Sequence, residues 1–329
     1  MSGPSPLAGI EGRIAELFGG DVDWRRETGV VHVAAIGARP RAAIAVGADA
    51  PRSPTDRFVL GFARARADVL VTTAAILRAE PALVHRTADD PREEEAWSRW
   101  RAEVLGRCAP PRLLVLTASG AFDRGHPALR AGAEPRVWTT QDATPAAALS
   151  AALAALRAQA GVETIVVEAG PKSTAGLYAS ATSAVAVDEL LLGIFAGGAF
   201  PAVDGPLLPP TAALARSFAS PRAEPATRVR VEEASGEWFF ERYRRAAAAA
   251  ERATGRARRP RPMRLERPVP RSIGAAHHRP ERRTARDLQL ARDLEAVLVV
   301  EGDVRRLRRL EIGGDPVAVA ALEHRREHR

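Results

Sequence analysis

The sequence contains one cysteine and no long apolar run, and these two features exclude disulfide-rich, metal-cluster and membrane-spanning proteins. Cys108 is the only cysteine among the 329 residues, which excludes an internal disulfide and a cysteine-rich metal cluster and favours a cytoplasmic location. No apolar run reaches the ~20 residues of a membrane-spanning helix. The first residues also lack the basic-then-apolar pattern of a signal peptide. We therefore expect neither a membrane nor a metal among its partners.

The positive charge of the chain comes almost entirely from arginine. Lys172 is the only lysine, although the formal net charge is +8. Abundant alanine together with arginine is typical of a GC-rich genome, and the arginines concentrate in the last third of the chain. A basic patch indicates nucleic-acid binding only when it lies on one folded face. We do not expect nucleic acid as a partner, although a nucleic-acid-binding tail stays open as an alternative.

Hydrophobic patterns predict strands that alternate with helices through the first 195 residues, and then a hairpin. The predicted strands and helices with the clearest patterns are strands 68–73, 112–117 and 164–167 and helices 55–67, 92–106 and 144–160. Strict alternation over 227–233, a Ser-Gly turn and the segment 237–243 predict the hairpin. The region 197–225 is rich in proline and glycine and is expected to be a loop. This order is typical of an α/β fold with a mostly parallel sheet and an antiparallel edge.

The chain divides into three parts by composition. Residues 1–29 are expected to be a leader with one short amphipathic turn, and residues 30–250 to be the folded domain. Residues 251–329 form a basic, Arg/Pro-rich tail that is expected to be largely disordered.

The segment from Glu163 to Tyr178 carries the strongest functional signal. A buried strand ends at Val167, Glu168 and Gly170 follow in a turn, and a helix is predicted to open at Pro171. The free N–H groups and the dipole of a helix N-terminus attract phosphate. An acidic residue at a strand end, with glycine beside it, suggests a nucleotide reductase pocket. The sequence therefore predicts an anionic cofactor here.

Three motifs, in order, resemble the reductase domain of the riboflavin-pathway bifunctional deaminase-reductase. Arg64-Ala-Arg-Ala-Asp68-Val-Leu-Val71 resembles "RAxADAVLVG", and Leu77-Arg-Ala-Glu80-Pro81-Ala-Leu83 resembles "VRADDPxL". Val166-Val-Glu-Ala-Gly-Pro171, with Gly176-Leu177 and Asp188-Glu-Leu190, resembles "LVEGGPTLAGxLL…VDEL". The resemblance covers about residues 30–245. The zinc-deaminase signature of the companion activity is absent from the chain, which excludes that activity.

The resemblance implies a dihydrofolate-reductase-like fold, with helices on both faces of the sheet and a homodimer. It also implies NADPH-dependent reduction of a pyrimidine- or pterin-like substrate. Glu168 and Glu80 are the predicted catalytic residues, and Arg52, Ser53 and Arg64 are predicted to bind substrate. The predicted cofactor-binding residues are Thr72, Thr73, Ala74, Ala75, Ala169, Gly170, Pro171, Lys172, Ser173 and Thr174.

Each of these residues also has a structural interpretation. In this interpretation the Glu168 carboxylate holds a loop, and Glu80 ends a short helix. The Lys172 side chain is then solvated, and Arg52 and Ser53 belong to a solvated loop. His85, His126 and the pair 277–278 lack metal-ligand spacing and are expected at the surface, whereas Cys108 is expected to be packed. Trp97 and Trp100 are expected in a core or an interface.

The departures from the motifs favour a second hypothesis. The family's substrate lysine falls near Ala45, and its Ser-Leu-Asp-Gly turn is missing. Thr72-Thr-Ala-Ala75 replaces a "GAGT" turn, and Ala169 replaces a glycine. An added Cβ obstructs a backbone that a ligand must approach closely. The alternative is a degenerate, non-catalytic member that binds nucleotide or only associates with itself.

Overall fold

The structure is a computed structural model. It describes residues 6–130, 133–140, 143–178, 185–206, 214, 217–218 and 225–245. The predicted tail 251–329, with the histidine pair 277–278, lies outside these residues. No helix of the described part is long and apolar enough to cross a membrane.

The described residues form a mixed sheet whose central strands are parallel. The strands are β1 (Gly29–Gly37), β2 (Ala42–Ile44), β3 (Val69–Thr73), β4 (Arg112–Thr117), β5 (Ala133–Thr139), β6 (Thr164–Val167), β7 (Glu189–Phe195), β8 (Ala202–Pro206), β9 (Thr227–Glu233) and β10 (Gly236–Arg244). The main order is β5-β4-β3-β6-β1-β7-β10-β9. The pairs from β5 through β7 are parallel, whereas β7–β10 and β10–β9 are antiparallel. The predicted mostly parallel sheet with a terminal hairpin is confirmed.

Helices cover both faces of this sheet. They are α1 (Pro6–Phe18), α2 (Pro54–Arg66), α3 (Ala74–Ala79), α4 (Pro91–Glu103), α5 (Pro145–Arg157) and α6 (Pro171–Thr174), which continues as a 3-10 turn over Ala175–Tyr178. Three of them begin with a capping residue followed by proline, namely Ser53, Asp90 and Thr144, whose side chains accept hydrogen bonds from the first turn.

Alternation along the buried strands divides the core into two apolar layers. Val31, Leu70 and Val166 pack in one layer with α1, α2 and α4. Their chain neighbours Val30, Val69 and Ile165 pack in the other layer with α5. Successive side chains of a strand point to opposite faces, so strands buried on both faces read as continuous apolar runs.

The segment set apart as a leader belongs to the core of the domain. Its helix α1 is 13 residues long rather than one turn, and Ile14, Phe18 and Trp24 are buried. Phe18 stacks on Phe62 of α2 with ring centroids 5.0 Å apart. The described part of residues 1–29 therefore packs into the domain that was predicted to begin at residue 30.

A strand was also missed in the predicted loop 197–225. β8 pairs with β2 in antiparallel register, Ile44 opposite Ala202. β2 is joined to β1 through Ile36 opposite Ala43. This small flap, β2 with β8, lies at one end of the central strands and carries three residues that line the candidate site, namely Ala43, Ile44 and Val203.

Candidate functional site

Two cavities lie where the central parallel strands end. The large cavity has a volume of about 760 Å³ and is lined by residues of β1, β2, α2, the loop 80–89 and Glu168 to Pro171. The small cavity has a volume of about 480 Å³ and is lined by residues that follow β3, β4, β5 and β6. The carboxyl ends of parallel strands are where open α/β sheets bind ligands.

The two cavities share one apolar wall. The residues that line both are Val46, Ile76, Gly170, Pro171 and Val203. Val46 is 48% exposed, although it is a large apolar side chain. A Cβ built on Gly170 would meet no atom within 4 Å, so the space in front of this backbone is open. The shared wall is thus an uncovered apolar surface that both cavities reach.

Glu168 lines the large cavity, but Arg64 holds its carboxylate. The Arg64 Nε donates to Glu168 Oε1 at 2.8 Å and its Nη2 to Oε2 at 2.7 Å. Burial alone would raise the pKa of Glu168, but the Arg64 guanidinium outweighs it, so the pKa is lowered. Arg64 also donates to the carbonyl of Arg86 at 2.8 Å. Both side chains therefore hold α2, the β6 turn and the loop 80–89 together.

Asp56 is a functional candidate that the sequence interpretation missed. It lies in the first turn of α2 and lines the large cavity. Burial, followed by the negative charges of Glu233 and Glu168, raises the pKa of its carboxyl to about 6. Such a group holds or releases a proton near neutral pH. In the sequence, Asp56 is one polar residue in the first turn of the predicted helix 55–67, and no local pattern sets it apart.

Glu80 is held at the large cavity by the end of α3. Its carboxyl is half-buried, and burial raises its pKa, an effect opposed by Arg64 and reinforced by Glu168. His126 Nδ1 accepts from the Ala128 N–H at 3.1 Å, so Nε2 carries the proton. That N–H points to the carbonyls of Leu77 and Glu80, at 3.1 Å and 3.0 Å. His126 therefore fixes the backbone that presents Glu80.

The prediction of surface histidines is wrong for the two described ones. The His126 side chain is buried, and the His85 side chain is 6% exposed with Nε2 3.9 Å from Glu168. Burial lowers the pKa of His85 to about 4, so its ring is neutral near pH 7. Cys108, expected to be packed, is exposed. Trp97 and Trp100 lie in the core, as predicted.

The small cavity presents hydroxyl groups and two cations. Thr73, Ala74, Ala75, Gly170, Pro171, Lys172 and Ser173 all line it, together with Arg78. The helix predicted to open at Pro171 is, however, only four residues long. The N–H groups of Ser173 and Thr174 donate to the carbonyl of Gly170. The amides of Ser173 and Thr174 are thus not free, and the cationic and hydroxyl side chains of the lining are the groups that face the small cavity.

Three predicted contacts lie away from both cavities. Thr72 is fully buried in β3, Thr174 is fully buried as the last residue of α6, and Ser53 is buried with its Oγ accepting the Asp56 N–H at 2.8 Å. A buried side chain that lines neither cavity cannot meet a ligand there, so these three assignments are corrected. Arg52 and Ala169 do line the large cavity. Ala169 packs within the apolar layer of α5, and the cavity beside it remains open.

Comparison with known proteins gives structural likenesses only. No family model matches the sequence, and no curated protein matches it. A pyrimidine reductase-like protein of Corynebacterium diphtheriae is similar at 21% identity and a TM-score of 0.46, over 70% of this chain and 98% of that one. Acinetobacter baumannii RibD is similar at 15% identity and a TM-score of 0.43, over 66% of this chain and 57% of that one. The Saccharomyces cerevisiae riboflavin biosynthesis reductase Rib7 is similar at 13% identity and a TM-score of 0.39, over 66% of this chain and 89% of that one.

These proteins are named as a pyrimidine reductase-like protein, as RibD and as a riboflavin biosynthesis reductase, names that agree with the resemblance of the sequence motifs. The chain spans little more than half of the RibD protein. The TM-scores lie below 0.5, so these likenesses identify neither a cofactor nor a substrate of this chain.

Proposed function

We propose that the protein is an NADPH-dependent reductase of a pyrimidine- or pterin-like compound. The supporting observation is the apolar wall that the two cavities share at Val46, Ile76, Gly170, Pro171 and Val203. Hydride transfer requires the nicotinamide ring to contact the C=N or C=O carbon of the substrate, and each cavity gives one of these two groups access to that wall. The pairing of a cation-lined cavity with a carboxyl-lined cavity suits a dinucleotide on one side and a polar heterocycle on the other.

The residues that line the small cavity fit a dinucleotide. Lys172 and Arg78 provide positive charge, and Thr73, Thr117, Ser119, Thr140 and Ser173 provide hydroxyl groups. The open space at Gly170 leaves room for a ring against its backbone. When bound there, the nicotinamide supplies the hydride.

The chain's own chemistry is then proton supply and positioning. Reduction of a C=N or C=O bond needs one proton along with the hydride. Asp56 is our candidate for its donor, since its pKa of about 6 keeps part of the population protonated near neutral pH. Glu80, with its raised pKa, is the other carboxyl at the same cavity. The ion pair of Arg64 and Glu168 forms part of the lining of the same cavity as Asp56 and Glu80. Arg52 is an exposed cation at the rim of this cavity.

A titration with NADPH, followed by nicotinamide fluorescence, tests the proposal. We expect saturation at a concentration between about 1 μM and 1 mM. Gly170→Leu should abolish it, because the new side chain would fill the shared wall without steric conflict in the free protein. Gly12→Leu, on the exposed face of α1 where a Cβ also meets nothing within 4 Å, is the matched control. Absence of binding at millimolar NADPH would refute the reductase function.

The second candidate is a non-catalytic protein that binds nucleotide. It is favoured by Ala45, which stands where the resembled motif has a lysine and does not line the large cavity, and by Arg64 and Glu168, which are bound to each other. A measurement of catalytic turnover distinguishes the two functions. NADPH oxidation in the presence of 5-amino-6-(5-phosphoribosylamino)uracil or dihydrofolate supports the reductase, whereas binding without oxidation of NADPH supports the second candidate.

A further inference from the structure

Glu233 is a carboxylate at a position where the strand pattern favours an apolar side chain. Along β9, exposed residues alternate with half-buried ones, and Val229 and Val231 pack against the core on the inner face. Glu233 comes two residues after Val231 and therefore lies on the same inner face. It is not among the described residues that line either cavity. The charge of Glu233 is held instead by the start of α2.

One oxygen of this carboxylate is bonded to the first turn of α2. Glu233 Oε1 accepts the Thr55 N–H at 3.0 Å, and Ser53 Oγ accepts the Asp56 N–H at 2.8 Å. Arg13 of α1 donates to Thr55 Oγ1 at 3.2 Å. The second oxygen, Glu233 Oε2, is buried and has no hydrogen-bond partner among the described residues. Glu233 thus places a negative charge at the positive end of a helix of 13 residues.

Asp56 lies in the same first turn of α2 and lines the large cavity. The positive end of a helix normally favours the charged form of a carboxyl in its first turn. Here that end already holds the Glu233 charge, and burial together with this charge disfavours a second one. β7 meets Asp56 at Gly193, which brings no charge. Asp56 therefore keeps its proton more readily than an acid in a first helical turn usually does.

The other charges that face Asp56 belong to ion pairs. Glu168, after β6, also disfavours its charged form, whereas Arg64 and Arg57 of α2 favour it. Arg64 is bound to Glu168 at 2.7 Å, and Arg57 is bound to Asp89 at 2.9 Å. Each of these pairs brings one charge of each sign, so their effects on Asp56 partly cancel. The carboxylate on β9 brings a negative charge alone.

We propose that Glu233 is a positioning residue of the reductase, whose negative charge at the start of α2 keeps the donated proton on Asp56. The inference rests on the proposed function, because it takes Asp56 as the proton donor to the substrate. Two carboxyls that share one helix end do not both ionise readily. The one that accepts a backbone N–H at this end keeps the charge, and the one at the cavity keeps the proton. Glu233 thereby keeps the donor loaded closer to neutral pH without touching the ligand.

Glu233→Gln tests this role, because it removes the charge and keeps an oxygen that can accept the Thr55 N–H. Carbon-13 NMR of protein labelled at aspartate follows the protonation of Asp56, and Asp56→Asn identifies its signal. We expect the midpoint, about 6 in the wild type, to fall by about one pH unit in Glu233→Gln. The decrease of kcat/KM at high pH should move with it, measured by NADPH oxidation with 5-amino-6-(5-phosphoribosylamino)uracil or dihydrofolate. The activity should then fall about 10-fold at about pH 7 and only about twofold at about pH 5.

Glu232→Gln is the matched control. Glu232 is the neighbouring residue of β9, its side chain is 66% exposed, and it is bonded to Arg230. This variant should leave the Asp56 midpoint and the pH profile unchanged. Glu233→Leu guards against a folding defect of Glu233→Gln, since it restores an apolar inner face, and it should lower the midpoint as well.

The NMR titration separates the inference from the proposed function. A midpoint equal to that of the wild type in the Glu233 variants overturns the inference, whatever the activity. A midpoint that falls while the pH profile stays in place also overturns it, because Asp56 is then not the proton donor. A wild type that oxidises no NADPH with either compound refutes the proposed function, and the inference fails with it even if the midpoint falls.

Discussion

Asp56 shows how one side chain is tuned by groups from several elements. Burial raises the pKa of its carboxyl to about 6, Glu233 of β9 and Glu168 after β6 add to the effect, and Arg64 and Arg57 of α2 oppose it. The carboxyl also lies against β7, since a Cβ on Gly193 would come within 2.9 Å of Oδ1. Asp56 is therefore enclosed where the helix meets the sheet, and its charged form is disfavoured.

Replacement of Asp56 by asparagine should stabilise the fold at alkaline pH. Because the folded pKa is higher than the unfolded value of 3.8, the carboxyl contributes stability below about pH 4 that is lost as the pH rises through about 6. Asp56→Asn should therefore raise the free energy of unfolding by about 1–3 kcal/mol at about pH 8 and change it little at about pH 4. Urea unfolding at both pH values measures this.

Asp89 provides the control for Asp56. It lines the same cavity, but its hydrogen bond with the Arg57 guanidinium lowers its pKa. Asp89→Asn should consequently give no gain in stability at alkaline pH. A gain of equal size in both variants would contradict the assigned environment of Asp56.

Removing only one partner of the ion pair between Arg64 and Glu168 should lower the free energy of unfolding more than removing both partners. Their side chains are 6% and 11% exposed, and a buried charge that loses its partner costs about 3–5 kcal/mol. Arg64→Met should reduce the free energy of unfolding by that amount, and adding Glu168→Gln should recover part of it. The exposed pair of Arg26 and Asp23, 87% and 56% exposed, is the comparison, where Arg26→Met should cost less than about 1 kcal/mol. Equal losses at the two sites would refute the prediction.

At the scale of elements, α2 is fixed by close contact with the loop that closes the large cavity. A Cβ on Gly61 would lie 2.1 Å from the carbonyl oxygen of Thr87. From the same helix, Arg57 donates to the carbonyls of Thr87 and Arg86. The loop 80–89 is thus bound to α2 by its backbone, and the helix and the loop should respond together to a change at Gly61.

Gly61→Ala should destabilise the protein although alanine favours helix. The methyl group would meet backbone, which cannot move aside cheaply, and we expect a loss of about 1–3 kcal/mol. Gly12→Ala in α1, where a Cβ meets nothing within 4 Å, should instead gain up to about 1 kcal/mol. Thermal unfolding of the two variants gives the comparison. A stabilised Gly61→Ala would show that the loop is not packed as closely as the structure has it.

The central elements could be predicted from the sequence because their signals are local. Strand β3, observed at Val69–Thr73, and helix α5, observed at Pro145–Arg157, were predicted at 68–73 and 144–160. A continuous apolar run and a Thr-Pro start need no knowledge of the partner. The strand end, the turn with Glu168 and Gly170 and the proline after it also predicted a site at the carboxyl end of β6, and both cavities reach this turn.

The elements and contacts that were missed depend on partners distant in sequence. β8 becomes a strand by pairing with β2, more than 150 residues earlier, and its own composition is typical of a loop. The contact between Arg64 and Glu168 joins residues 104 positions apart. Both were assigned separately to substrate or catalysis, because sequence order alone does not show that two side chains satisfy each other. The raised pKa of Asp56 likewise arises from neighbours in other elements.

At the scale of the whole molecule, a buried ionic network joins four distant segments. Glu189 at the start of β7 accepts hydrogen bonds from Arg66 of α2 at 2.7 Å and from Arg242 of β10 at 2.8 Å. Arg242 also donates to Glu27, which precedes β1, at 2.7 Å. This network lies at the end of β7 where the strand begins, and the cavities lie at the ends of the parallel strands. It therefore serves stability rather than ligand binding.

The network predicts a loss of stability in acid. Burial would raise the pKa of Glu189, but Arg66 and Arg242 outweigh it and hold the pKa at about 2, below the unfolded value of 4.5. The resulting stability, on the order of 2–3 kcal/mol, is present above about pH 4.5 and is lost as the pH falls toward 2.

Glu189→Gln should lower the free energy of unfolding by about 3–5 kcal/mol at neutral pH. From about pH 6 to about pH 3, it should then lose less stability than the wild type, as urea unfolding at both pH values would show. Glu95→Gln, at an exposed position of α4, should follow the wild type, whereas parallel acid curves for Glu189→Gln and the wild type would exclude Glu189 as the source of the acid sensitivity.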